Sequence, residues 1–152
     1  MFLFLSKIYI IKKNNLIMEE KGWKPIPLSL KILFIFLLLW IVGSIMNLSN
    51  LYNNGMPFYG LFVQGITASI IAILLDIIGP ILFLTGLWQR KSWAPLIAYT
   101  YMGIFSLNHI IAIFTAREQF GLIPILIPLI ANMIFLITIY KKRNYFEALS
   151  EN

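Results

Sequence analysis

The sequence predicts an all-α polytopic integral membrane protein, a four-transmembrane-helix bundle, on three observations. Of its 152 residues, 60% are hydrophobic and only 12% are charged, where a water-soluble domain carries about a quarter charged residues. The apolar residues gather into four runs, each close to the roughly 20 residues that cross a hydrocarbon core about 30 Å thick. These runs are continuously apolar, which fits helices, whereas lipid-facing strands alternate polar and apolar residues over about 10 positions.

The first span is expected at about 28–48, with Lys31 one turn in and long enough to extend its ammonium back to the headgroups. The second, at about 66–88, contains one charge, Asp76. The third, at about 93–115, has no formal charge but carries Asn108 and His109 toward its end. The fourth, at about 122–140, is uncharged and holds Pro124, Pro128 and Asn132. Connections at 49–65, 89–92 and 116–121 leave no room for a soluble domain. The chain therefore divides into an N-terminal cytoplasmic or interfacial segment at 1–27, a transmembrane domain at 28–146 and a cytoplasmic tail at 147–152.

Lys and Arg set the orientation, because cytoplasmic loops carry them in excess. From Met18 onward, Lys21, Lys24, Lys31, Arg90, Lys91, Lys141, Lys142 and Arg143 fall on one side, against Arg117 on the other. A cell-membrane protein with cytoplasmic N- and C-termini is expected. The net charge of +6 is then a topology signal that also favours anionic headgroups on the cytoplasmic side. Nucleic-acid binding is not expected, since no basic groove with interleaved aromatics lies outside the spans.

The first 17 residues, MFLFLSKIYIIKKNNLI, form neither a full span nor a signal peptide, because Lys7 breaks the apolar run and no small-residue cleavage site follows. Met18, ahead of the compact polar leader EEKGWKPIPLSLK, is the expected natural start. If residues 1–17 are translated, they suit a basic interfacial anchor on the inner leaflet.

Trp88 and Trp93 bracket QRKS, which puts two indoles at headgroup depth beside Arg90 and Lys91. Tyr140 followed by Lys141, Lys142 and Arg143 repeats the device, so these residues read as membrane-interface anchors. On the outer side, LYNNGMPFYGLFVQ has turn signals at Asn53, Asn54, Gly55 and Pro57. It reads as an uncharged loop dipping its aromatics into the outer leaflet, or as a lid or partner-docking surface.

Asp76 most demands an explanation, since an ionised carboxylate near the bilayer centre costs at least about 2.5 kcal/mol. The helical stripe through it, Gly65, Ser69, Ala72, Asp76, Gly79 and Phe83, is rich in small residues and reads as a close-packing face. Pro80 removes the donor that would serve the carbonyl of Asp76. At about 1.5 Å per residue from the outer ends, Asp76 and Asn132 lie about 15 Å deep and His109 about 9 Å. Asp76, His109, Asn132 and Asn108 thus form a candidate polar intramembrane cluster. Ser106, Thr67, Ser44 and Asn47 extend it outward as a vestibule, with Pro124 and Pro128 letting the fourth helix bend around it. On one reading Asp76 is neutral and hydrogen-bonds His109, Asn132 or a backbone carbonyl to lock the bundle. On the other, Asp76 and His109 exchange a proton or bind a cationic or polar small molecule reached from outside.

Catalysis lacks parts. Cysteine is absent and histidine occurs once, so disulfide chemistry and multi-histidine metal sites have no ligands and no metal or cofactor is expected. Ser106 and His109 are helical neighbours, but no nucleophile turn or oxyanion loop accompanies the serine, which is expected to bond a backbone carbonyl instead. Paired carboxylates are missing, as only Asp76 lies within a span.

The stretch GLWQRKSWAPL at the second turn, and KKRNYF from Lys141 to Phe146, resemble a set of uncharacterised small prokaryotic four-helix integral membrane proteins. The resemblance covers Lys31 to Phe146 and implies the four-helix fold but no activity. Small multidrug exporters differ in carrying their essential acid in the first span, vitamin K epoxide reductase-like proteins in their CxxC, and sterol isomerase-like proteins in their several intramembrane acids. The expected role is therefore structural or interactive, as a subunit of a membrane assembly, homo- or hetero-oligomeric. The alternative is a small-molecule-binding protein or proton-coupled carrier centred on Asp76 and His109.

Overall fold

The structure, a computed structural model, describes residues 22–147. The expected start at Met18, the segment before it, Lys21 and the tail beyond Glu147 lie outside the described residues. In chain order the elements are α1 (Leu28–Asn54), a hairpin of β1 (Met56–Phe58) and β2 (Leu61–Val63), α2 (Gly65–Trp88), α3 (Ala94–Thr115), α4 (Arg117–Phe120), α5 (Ile123–Lys141) and α6 (Asn144–Glu147). Of these, α1, α2, α3 and α5 are long and apolar enough to cross a membrane. Each long helix packs on its neighbour in sequence, and α1 also meets α5, which closes the bundle.

Prolines mark the starts. Pro27 precedes α1, and α3 and α5 each carry a proline in the first turn, where the missing amide hydrogen has no helical partner to lose. Pro124 therefore begins α5 rather than bending it, and Pro128 is the proline inside that helix. The first helix also runs further than expected. It continues past residue 48 to Asn54 because Asn47, Asn50 and Asn54 bond one another at helical spacing: Asn50 Nδ2 donates to Asn47 Oδ1 over 3.0 Å, and Asn54 donates to Asn50.

Gly55 then stops the helix with φ +75°. A Cβ there would sit 2.6 Å from the Val63 carbonyl oxygen, so only glycine lets β2 pass this close. The expected uncharged loop is in fact a two-residue hairpin turning at Tyr59 and Gly60, with Met56 opposite Val63 and Phe58 opposite Leu61. Both turn residues have positive φ, +50° and +80°, as the twist of a two-residue hairpin requires.

On α2, Ala72, Gly79 and Phe83 of the small-residue stripe are buried, while Gly65, Ser69 and Asp76 are half-buried; Ala68, beside the stripe, is buried as well. The close approach to α3 occurs at two glycines. A Cβ on Gly79 would lie 2.9 Å from Tyr101 Cγ, and one on Gly86 would lie 2.6 Å from Ala94 Cβ. Small residues here let two backbones meet and gain dispersion contacts that bulkier side chains would hold apart.

The main core gathers at the end that holds the 89–92 turn and α6. Leu30, Leu33 and Leu37 of α1 meet Phe83 and Leu87 of α2, Met102 of α3 and Ile139 of α5. Phe146 of α6 is 1% exposed within it. Its neighbour Tyr145 donates its hydroxyl to the Leu87 carbonyl over 3.2 Å, while Arg90 Nε donates to the Tyr145 carbonyl and its guanidinium lies 4.8 Å from that ring. Burial holds the Tyr145 hydroxyl above the ordinary phenol range, with Arg90 pulling it partly back, so the group stays a donor. Arg90 and the Tyr-Phe pair thus clip α6 over the ends of the helices. Trp88, Lys91, Trp93, Lys141, Lys142 and Arg143 lie at the same end, with Trp88 and Trp93 exposed.

Two substitutions test this packing. Phe146→Ala is expected to lower stability in detergent micelles by about 3–5 kcal/mol, as for other buried aromatic truncations. Gly86→Ala is expected to cost about 1–3 kcal/mol by overpacking, whereas Gly103→Ala, where a Cβ meets nothing within 4 Å, should cost nothing. Equal melting temperatures for the two alanine variants would contradict the close α2–α3 approach.

Candidate functional site

The second long helix changes its winding where its one acid sits. Between α-helical Gly65–Ala72 and Gly79–Trp88, residues Ile73–Ile78 form a π-helix, with the Gly79 amide bonding to the Leu74 carbonyl. Pro80 lies just beyond it. Regular winding would aim the Asp76 carbonyl at an amide hydrogen that proline lacks, and i→i+5 winding would aim the Leu75 carbonyl there instead, so the wide bonds end with the one from Gly79. The wider turn carries Asp76 at its middle, half-buried between the helices.

Asp76 Oδ1 accepts a 3.3 Å hydrogen bond from Trp40 Nε1 on α1. Among the described residues, Oδ2 has no hydrogen-bond partner. The Trp40 ring belongs to a row of aromatics crossing the bundle. Phe135 of α5 lies 4.8 Å from Phe36, Phe36 stacks on Trp40 at 6.1 Å, Trp40 meets Phe105 edge-on at 5.9 Å, and Phe105 lies 4.7 Å from the His109 ring. Trp40, Asp76 and Phe105 stand between two voids and line both.

The deeper void is a cavity of about 130 Å³, walled by Leu37, Leu75, Tyr101, Pro128, Ala131 and Asn132 in addition to the shared rings. The other is a groove of about 720 Å³ that runs toward the hairpin past Gly43, Ser44, Asn47, Asn108 and His109, to Met56 and Pro57. All four candidate polar residues therefore border these two voids, with Asp76 at their junction, Asn132 on the cavity side and Asn108 and His109 on the groove side. They do not hydrogen-bond one another.

Each has its own arrangement. His109 Nδ1 lies 2.8 Å from the Phe105 carbonyl oxygen, which can only accept, so Nδ1 carries the hydrogen and the neutral ring keeps its lone pair on Nε2. Asn108 works for the hairpin: its Oδ1 accepts from the Tyr59 amide at 2.7 Å and its Nδ2 donates to the Pro57 carbonyl at 3.3 Å. Tyr59 adds a bond from its hydroxyl to the Ile104 carbonyl at 3.1 Å. These three bonds offset the strain of a bulky residue at positive φ. Ser44 and Asn47 line the groove as expected, whereas Thr67 is exposed.

Ser106 departs from expectation. Its hydroxyl is buried without any hydrogen-bond partner, so it bonds neither a backbone carbonyl nor His109, and no nucleophile–base pair exists there. Tyr101 Oη is buried and unpartnered in the same way. Among the described residues no three His, Asp or Glu side chains converge as a metal site. The chemistry available is that of one carboxylate with a free oxygen, set among aromatic rings, at the meeting point of an apolar cavity and a more polar groove.

Sequence reasoning overlooked Trp40, Phe36 and Phe105. A signal for the first was present. Trp40 stands in the middle of LFIFLLLWIVG rather than at an end, and an indole N–H removed from water needs an acceptor. Asp76 is the one mid-span acid able to supply it.

Asn108→Ala is expected to raise amide exchange at Tyr59 at least tenfold, while exchange in α1 and α3 stays unchanged; undisturbed protection at Tyr59 would refute the pinning role. No family model, no curated protein and no solved structure matches the chain, so the reading of this site rests on its geometry.

Proposed function

We propose that this is a multi-pass protein of the cell membrane, with both termini cytoplasmic, that binds a small molecule in the groove whose floor is Asp76. The membrane part is supported by the outer surface. Leu28, Leu39, Met46 and Phe114 are 73%, 68%, 80% and 79% exposed, and apolar faces of that kind need lipid or another protein. The helix hydroxyls agree. Thr85, Thr100, Thr115 and Thr138 are exposed yet each donates to the carbonyl four residues back, satisfying itself without water. The orientation rests on the excess of Lys and Arg at the end bearing the 89–92 turn.

One observation carries the binding part: Asp76 borders two voids with one carboxylate oxygen unengaged. An acid whose only task was to lock helices would have both oxygens engaged, since a polar atom left unmet away from water is costly whether the group is neutral or charged. The second reading, a structural or interaction subunit of a membrane assembly, is favoured by the exposed apolar faces and by the Trp40–Asp76 bond tying α1 to α2. Proton-coupled carriage through Asp76 and His109 has less support, because the two share a groove but no hydrogen bond.

The chain has no native cysteine, which makes labelling clean. Asn54→Cys is expected to react with an impermeant thiol reagent from outside intact cells, and Ser92→Cys only after lysis. Ser44→Cys, on the groove wall, is expected to react from the same side as Asn54→Cys. Ile45→Cys, its outward-facing neighbour at 53% exposure, should not. Reversed labelling of the first pair would overturn the orientation, and an unreactive Ser44→Cys would overturn the open groove.

A further inference from the structure

The two voids around Asp76 differ in character, and together they specify a ligand. The groove carries the polar groups of Ser44, Asn47 and Asn108, whereas the cavity is walled chiefly by aliphatic and aromatic side chains. Neither void is lined by Lys or Arg. A ligand anion would meet the carboxylate without a compensating charge, and like-charge repulsion is strong away from water. A neutral ligand could donate a hydrogen bond to the free Oδ2 but would leave the charge of the ionised carboxylate uncompensated. An ammonium suits both constraints, since it pairs with Oδ2 and is further attracted to the aromatic rings of Trp40, Phe36 and Phe105.

The size of the cavity sets the rest of the molecule. Apolar cavities of roughly 150 Å³ stay dry and accept a single benzene ring, and this one measures about 130 Å³.

We propose that Asp76, with the rings of Trp40 and Phe105, holds the ammonium of a small amphiphilic amine whose apolar group, about one ring in size, fills the cavity walled by Leu37, Tyr101 and Ala131. This rests on the groove reading above and narrows it to one chemical class. The ammonium has two possible sources, a free amine or the headgroup of an aminophospholipid, and both present the same charge to Asp76.

The test uses the full chain in maltoside micelles, which are neutral and free of amines. Equilibrium dialysis of radiolabelled 2-phenylethylamine is expected to show saturable binding of one molecule per chain. Phenylacetate and 2-phenylethanol, matched in ring but not in charge, should compete at least tenfold less well. Asp76→Asn should weaken amine binding at least tenfold. Ala131→Phe, which fills the cavity and leaves the carboxylate in place, should do the same if the Asp76 variant fails to fold. Short-chain phosphatidylethanolamine competing better than the free amine assigns the ammonium to lipid, and the reverse assigns it to a soluble amine. Equal competition by phenylacetate or 2-phenylethanol overturns the amine class. Absence of saturable binding while Ser44→Cys still labels overturns the amine and leaves the groove standing, whereas an unreactive Ser44→Cys removes the groove itself.

Discussion

Pro80 has no amide hydrogen, and a carbonyl denied its donor in an apolar helix is expensive to leave bare. Just ahead of Pro80, α2 widens to a π-helix over Ile73–Ile78, which holds Asp76. An extra residue in one turn shifts the faces of the helix beyond it. Before the π segment the buried positions are single, Ala68 and Ala72. After it they come in pairs, Gly79 with Pro80, Phe83 with Leu84, and Gly86 with Leu87. The widened stripe gives α2 enough buried surface to face both α1 and α3. The site and the core thus both depend on this one segment.

Packing elsewhere follows from a contrast between small and large side chains. Where α2 meets α3, Gly79 and Gly86 let the backbones approach until no Cβ would fit. Where α1 faces α3 and α5, the large rings of Phe36, Trp40, Phe105 and Phe135 stand between the helices. Rings in a row meet at edges and tilted faces, which leaves space that aliphatic side chains would close. The cavity and groove are the result, and Asp76 stands at their junction within reach of an indole donor. The close-packed end, clipped by Phe146 and Tyr145, holds the frame in which the looser end can stay open.

The hairpin completes the looser end. Its turn needs positive φ at Tyr59, a residue that resists it, and Asn108 and the Ile104 carbonyl hold the strand in place. A polar residue that looked like part of an intramembrane cluster is therefore a fastener for the hairpin that borders the groove. His109, bonded to its own helix at Phe105, is positioned by that bond on the wall of the groove.

Local chemistry was enough to read the four long helices from the residues alone, because continuous apolar runs of span length have few other ways to satisfy their backbone. Small-residue packing on α2 and the importance of Asp76 were legible for the same reason: both depend on side-chain type and helical spacing. The ends of elements were not. Asn53 and Asn54 read as turn formers, yet Asn54, bonded to Asn50 and through it to Asn47, prolongs α1, and the hairpin turned at Tyr59 and Gly60 rather than at the Asn-Gly pair. Tertiary structure alone decided which groups meet. Depth counting brought Asp76, Asn132 and His109 to similar levels, but rotation about each helix axis, set by packing and by the π segment, gave the carboxylate to Trp40 and left Ser106 without a partner. Sequence spacing encodes height along a helix well and azimuth relative to other helices poorly, since azimuth is fixed only when all the faces pack at once.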